Sequence, residues 1–247
     1  MLDATKTTFD WQANPTDVCV LPVSSVEQHG AHLPVLTDVI LGDYFGRLIA
    51  EGLNAALLPT LPYGTCLEHT AFRGSFTLRP ETLMQVVRDL ADAAEQQSFK
   101  FLVLVNSHGG NFCIPPVARD INRHNRPLKI LFVNWWEFCD PAVSIEGVSN
   151  GKEIHAGAWE TSLLMVIRPD LVGTDFRNLT VDPHDLLPLD RRDLTTFGSG
   201  RLNPDGALGF PSKAKREIGQ TAIDSIRKNI FPYLRDRIAR LRQDPRY

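Results

Sequence analysis

The apolar runs Val18-Cys-Val-Leu-Pro-Val23 and Phe101-Leu-Val-Leu-Val105 have no polar residue to turn toward water on either face. A strand of that kind belongs in a parallel sheet with helices on both sides. Further strand patterns at 56–61 and 129–134 alternate with helical ones. Residues 38–53 place Ile40, Tyr44, Leu48 and Ile49 on one stripe; residues 80–96 do the same with Leu83, Val86, Val87, Leu90 and Ala94, after a Pro80 suited to a first turn. A last helix carries Ile218, Ala222, Ile226, Ile230, Leu234, Ile238 and Leu241, with Pro232 expected to bend it. This order predicts one α/β domain over 1–247, a three-layer α/β/α sandwich with a mostly parallel central sheet. With 43% apolar residues, 247 residues suffice for a full core. The aperiodic segment 173–211, rich in Asp, Pro, Arg and Gly, predicts a long surface excursion over its own or a neighbouring active site.

Both apolar runs lead directly into residues with ligand chemistry. After the first comes Glu27-Gln-His-Gly-Ala-His-Leu-Pro-Val-Leu-Thr-Asp38. Residues two apart on extended backbone point the same way, so Glu27 and His29 can face one cavity while Gln28 points elsewhere. Pro34 keeps Leu33 extended, and Asp38 returns at a helix start. After the second comes Asn106-Ser-His-Gly-Gly-Asn111, which puts His108 at the carboxyl edge of a strand, where open α/β sheets bind ligands. A third cluster, Glu153-Ile-His-Ala-Gly-Ala-Trp-Glu-Thr-Ser162, sets His155 in a lead-in loop and Glu160 in a first helical turn. A lone Glu, Asp or His is ordinarily a solvated charge, a cap or a structural imidazole. Several at strand ends point instead to a metal, and imidazoles with carboxylates suit Zn, Mn or Fe better than Ca or Mg.

These three motifs, in this order and spacing, resemble the creatininase (creatinine amidohydrolase) family. Tyr63-Gly64, His69-Thr-Ala-Phe-Arg-Gly-Ser-Phe and Gly206-Ala-Leu-Gly-Phe-Pro extend the likeness from about 18 to 219. The resemblance implies an amidohydrolase with two divalent ions per subunit, commonly hexameric. It implies Glu27, His29, Asp38 and His108 as ligands, with Asp38 bridging, and His155 as the proton-transfer residue. Creatininase itself has a ligating Glu where this chain has Gly110; members with the Gly-Gly version keep the His-Ala-Gly-x-x-Glu-Thr motif, so Glu160 is expected to supply the missing carboxylate. Trp136 matches a substrate-covering Trp of creatininase, whereas Gly151 stands where a second is expected, so creatinine is not the expected substrate. Tyr63 and His69 are further candidates for the pocket wall.

The rest of the composition narrows the function class. A net charge of −3 leaves no basic footprint for nucleic acid. No run approaches the ~18 apolar residues of a membrane span, and the N-terminus lacks an apolar signal core, so a cytoplasmic protein is expected. That it is a homo-oligomer acting on a small molecule is what the family resemblance implies, and the long segment 173–211 agrees with assembly. Cys19, Cys66, Cys113 and Cys139 read as reduced thiols; Cys113 is a weak ligand candidate beside hard carboxylates. A serine hydrolase is disfavoured, since no Gly-x-Ser-x-Gly elbow occurs. A non-catalytic metal-binding protein would have no use for His155 beside a closed shell. A cyclic or linear amide and a strained cyclic ketone all present a carbonyl to the same water, so the substrate stays open.

Overall fold

The computed structural model describes residues 1–124, 126–148, 153–178 and 204–243. Five parallel strands, β1 (Leu2–Asp3), β2 (Val18–Val23), β3 (Ala56–Leu57), β4 (Phe101–Asn106) and β5 (Lys129–Asn134), form one sheet in the order β1-β3-β2-β4-β5. The alternation of side chains along each strand sorts the core into two halves. Val18, Val20, Val103, Val105 and Val133 face α2 (Thr37–Leu53), α5 (Ala158–Ile167) and α6 (Arg216–Gln243). Cys19, Leu21, Leu102, Leu104 and Ile130 face α3 (Pro80–Gln96) and α4 (Ile114–Arg123). The three-layer sandwich expected from the buried strand runs is the architecture found.

This topology decides where a ligand can bind. From β2 the chain passes along one face through α2 to β3, then returns across the other face through α3 to β4 on the opposite side of β2. The carboxyl ends of β2 and β4 are therefore the point where the winding reverses, the usual binding crevice of such sheets. Glu27 and His29 follow one strand and His108 the other.

Some local expectations need correction. The strand expected over 56–61 pairs only at Ala56–Leu57, because Pro59 has no N–H to donate; Leu58 and Leu61 still bond to β2 carbonyls at 2.9 Å each. The α2 stripe also includes Leu41 and Phe45, both fully buried, and Phe45 stacks on Trp135 at 4.4 Å. Pro232 falls inside one continuous helix, α6. Two helices are not among those expected: a short α1 (Thr8–Ala13), capped reciprocally by Thr7 and Asp10 and burying no residue, and α4, which opens on Ile114-Pro-Pro and buries Ile114, Val117, Ala118 and Ile121 at helical spacing. Of the segment 173–211, residues 179–203 lie outside the described residues. Its end returns to the same subunit, where Leu208 pairs with His155. No helix among the described residues is long and apolar enough to cross a membrane.

Helix α2 lies close on the sheet because Gly42 and Gly46 share the face turned to it. A methyl group at Gly46 would overlap the Pro22 ring, and one at Gly42 would overlap Ser24 Oγ. Gly46→Ala is therefore expected to lower stability by about 1–3 kcal/mol, read as a lower urea midpoint at unchanged m. Gly109→Ala, where the added methyl would meet nothing within 4 Å, should shift it by less than ~0.5 kcal/mol.

Candidate metal centre

The sequence clusters converge on one buried centre. Glu27 and His29 are fully buried, Asp38 and His108 nearly so, and the Glu160 side chain is 23% exposed toward a cavity. Asp38 comes from the first turn of α2, which is capped at Leu36 without a side-chain bond, Thr37 instead donating to Pro34 O at 2.7 Å. Ser107 Oγ donates to the Asp38 carbonyl at 2.7 Å and lies 2.8 Å from Ser24 Oγ, so the residues after β2 and β4 together fix the start of α2.

Two ligand groups share the Asp38 carboxylate. In one, His108 Nδ1 lies 3.1 Å from Glu27 Oε1 and 3.1 Å from Asp38 Oδ2; in the other, His29 Nε2 lies 3.2 Å from Asp38 Oδ1 and 3.8 Å from Glu160 Oε1. Each set of ligand atoms falls within 4.8 Å. Backbone carbonyls hold the far side of each ring. His29 Nδ1 donates to Glu27 O at 3.1 Å and His108 Nε2 to Thr65 O at 2.9 Å, so each turns a bare nitrogen toward the carboxylates. Glu27 Oε1, His29 Nε2 and Asp38 Oδ2 have no hydrogen-bond partner although buried. Burying polar atoms unmet is costly, and a divalent cation would satisfy all three at once. The donor set of two imidazoles and three carboxylates fits zinc or manganese.

Titration behaviour follows the same geometry. Burial pushes Glu27 up to about 7, partly offset by His108. Burial also opposes ionisation of Asp38, but the His29 and His108 imidazoles outweigh it and hold Asp38 low. His29 and His108 lose by desolvation and gain more from the facing carboxylates, so both are raised: the carboxylates favour a second proton on the inward nitrogen, the position a bound cation would take instead. His155 is lowered to about 4, by burial first and then by repulsion from His29, and is a neutral imidazole.

The remaining candidates divide. His155 precedes α5, stacks on His69 at 4.2 Å and points Nδ1 at Glu27 Oε1, 3.6 Å away; with Glu27 and His29 it forms a third ligand-capable group. Glu160 stands in the first turn of α5, where Oε2 accepts the Ala156 N–H at 2.5 Å. Glu153 serves structure instead, accepting the Phe210 N–H at 2.7 Å. His69 and Trp136 line the cavity, whereas Tyr63 is 47% exposed and is not part of its wall. Cys113 caps α4 and joins none of the ligand groups. Gly151 lies outside the described residues.

The cavity holds about 430 Å³. One end is the centre; the other runs along α5 to Trp159 and Leu163 and on to Ala222 and Ile226 of α6. Among the described wall residues are Glu68, Asp140 and Glu153, with no Lys or Arg. The sequence reading missed Glu68 and Asp140, which no motif marks, and Gln28, whose side chain does turn away from the ligands but reaches His69 at 3.0 Å. Gly110 leaves room for Glu68, whose carboxylate a methyl group at 110 would overlap.

The creatininase family model, described as creatinine amidohydrolase, matches residues 3–234. The chain belongs to the creatininase family. It is 28% identical to a creatinine amidohydrolase of Pseudomonas putida over 239 residues, 89% of each chain. With a mycofactocin precursor peptide peptidase of Mycobacterium ulcerans it shares 31% over 213 residues, 81% of this chain and 78% of the relative. A solved structure named Creatininase Mn superposes with a TM-score of 0.78 at 27% identity, covering 96% of this chain and 98% of the other. This family membership joins the likeness in fold to the ligand geometry found here.

Because a cation would bind only the folded centre, zinc or manganese added to chelator-treated protein should raise Tm, by about 2.7 kcal/mol of stability at a hundredfold excess over Kd. Asp38→Asn, which weakens both groups that share this carboxylate, should abolish the rise.

Proposed function

We propose that this protein is a dinuclear metal hydrolase that cleaves a C–N bond in an uncharged or cationic amide. The observation that carries the reading is the Asp38 carboxylate divided between two ligand groups, with the bare Nδ1 of a neutral His155 beside them. Glu27, Asp38 and His108 would hold one ion and His29, Asp38 and Glu160 the other. The ions, when bound, would supply a Lewis acid and a readily deprotonated water.

His155 moves the protons. Its Nε2 donates to Gln28 O at 2.7 Å, which leaves Nδ1 to take a proton from the attacking water and return it to the leaving nitrogen as the C–N bond breaks. The products are an acid and an amine. The acidic wall beyond the centre, with no described Lys or Arg, disfavours an anionic substrate, and the apolar far end suits a bulky hydrophobic group. The creatinine and peptide hydrolases among the relatives both act on C–N bonds, which supports the amide reading. The 3-dehydro-scyllo-inosose hydrolase of Thermotoga maritima, 21% identical, makes cyclic ketones worth assaying beside amides.

We further place the enzyme in the cytoplasm as a homo-oligomer. All four cysteines are unpaired thiols. Phe76 at 62%, Phe112 at 56% and Leu36 at 43% exposure are large apolar side chains open to solvent in a lone subunit. Light scattering at micromolar concentration should report a multiple of the chain mass; a monomer would contradict this.

Three variants test the chemistry. Glu160→Gln should lower the occupancy of one ion while Glu153→Gln keeps both, read by elemental analysis; equal occupancy in Glu160→Gln and wild type would count against Glu160 as a ligand. His155→Ala should keep the ions and lower kcat by ~10²–10⁴ with a smaller change in KM. Loss of the ions together with activity would make His155 a ligand instead.

A further inference from the structure

Four imidazoles surround the centre, and what each presents to it depends on what holds its far nitrogen. His29, His108 and His155 donate to the backbone carbonyls of Glu27, Thr65 and Gln28, so all three turn a bare nitrogen inward. His69 is held in the reverse sense. Gln28 Nε2 lies 3.0 Å from His69 Nδ1 and 3.1 Å from Gly206 O, while Gln28 Oε1 accepts the Gly30 N–H at 2.9 Å. These flanking bonds fix the amide, because a flipped group would set oxygen against the Gly206 carbonyl and NH₂ against the Gly30 N–H. Gln28 Nε2 therefore donates to His69 Nδ1, and the His69 proton sits on Nε2. That N–H lies 3.5 Å from Glu27 Oε1, on a ring that lines the cavity and stacks on His155.

We propose that His69 is a further catalytic residue, a fixed N–H donor to the substrate oxygen on which negative charge builds, and that Gln28 is the positioning residue that sets its tautomer. This rests on the hydrolytic reading above. As the oxygen of water adds to the carbonyl carbon, the C=O electron pair moves onto oxygen, and a donor already in place stabilises it without giving up its own proton. His155 supplies the bare nitrogen for the water proton and His69 the N–H. Gln28 serves both, holding His155 by its backbone carbonyl and His69 by its side-chain amide.

The test is ¹⁵N NMR of histidine-labelled protein, metal-free and zinc-loaded, beside steady-state kinetics. His69 should carry its proton on Nε2 in both forms. Gln28→Glu, which offers an acceptor where a donor stood, should move that proton to Nδ1 and lower kcat by ~10²–10³ with ion content and KM little changed. His69→Gln, whose amide can still donate, should retain more activity than His69→Leu, which also serves if Gln28→Glu fails to fold. A wild-type proton on Nδ1 overturns the proposal, as does a tautomer change without loss of kcat. Loss of ions in Gln28→Glu overturns it too, since His69 would then act through Glu27. The NMR needs no substrate, so failure of the hydrolytic reading, with no carbonyl substrate turned over, is distinguishable from failure of the tautomer assignment.

Discussion

Asp38 reaches between His29 and His108 only because α2 lies nearer the sheet than a helix with ordinary side chains could. Gly42 and Gly46 stand one and two turns beyond it on the buried side, and each makes room for an atom of the strand or of the loop that follows it, Ser24 Oγ and the Pro22 ring. The closeness lets Ser107 bond the Asp38 carbonyl, which ties the helix start to the ends of β2 and β4. Shifting the helix by the width of a methyl group would leave the carboxylate short of two imidazoles that it meets at 3.2 and 3.1 Å. The candidate ligand set is thus a consequence of packing several residues away.

The second constraint is electrostatic. Three carboxylates and four imidazoles within one largely buried space would repel or pair off if each ring could choose its tautomer. Backbone carbonyls remove that choice for His29, His108 and His155, and the Gln28 amide removes it for His69. Buried oxygens and a nitrogen with no hydrogen-bond partner are then left aimed at common points. Such an arrangement is costly by itself and favourable around cations.

The fold was legible in the sequence to the extent that burial on both faces leaves a pattern. Strands 18–23 and 101–106 and the helix beginning at Pro80 are found where the periodicity puts them. The two-residue β3 is cut short by a proline that periodicity does not register, whereas α4 carries its period at Ile114, Val117, Ala118 and Ile121 but is masked by the Pro115-Pro116 pair in its first turn. In the centre, Glu27, His29, Asp38, His108, His155 and Glu160 could be singled out because each stands near a strand end or helix start within a motif of ligand-type residues. Glu68 and Asp140 could not, since an isolated acid in a loop looks the same whether it faces solvent or a cavity. Tyr63 shows the opposite failure: an aromatic beside a motif suggests a wall, but its side chain turns out to solvent.

The proposal that Asp38 bridges two ions is tested most directly by anomalous diffraction from manganese-loaded crystals. Two peaks are predicted on either side of the Asp38 carboxylate, ~3.5–4 Å apart, one against Glu27 and His108 and the other against His29 and Glu160. A single peak, or a second peak lacking Asp38 as a neighbour, would contradict it.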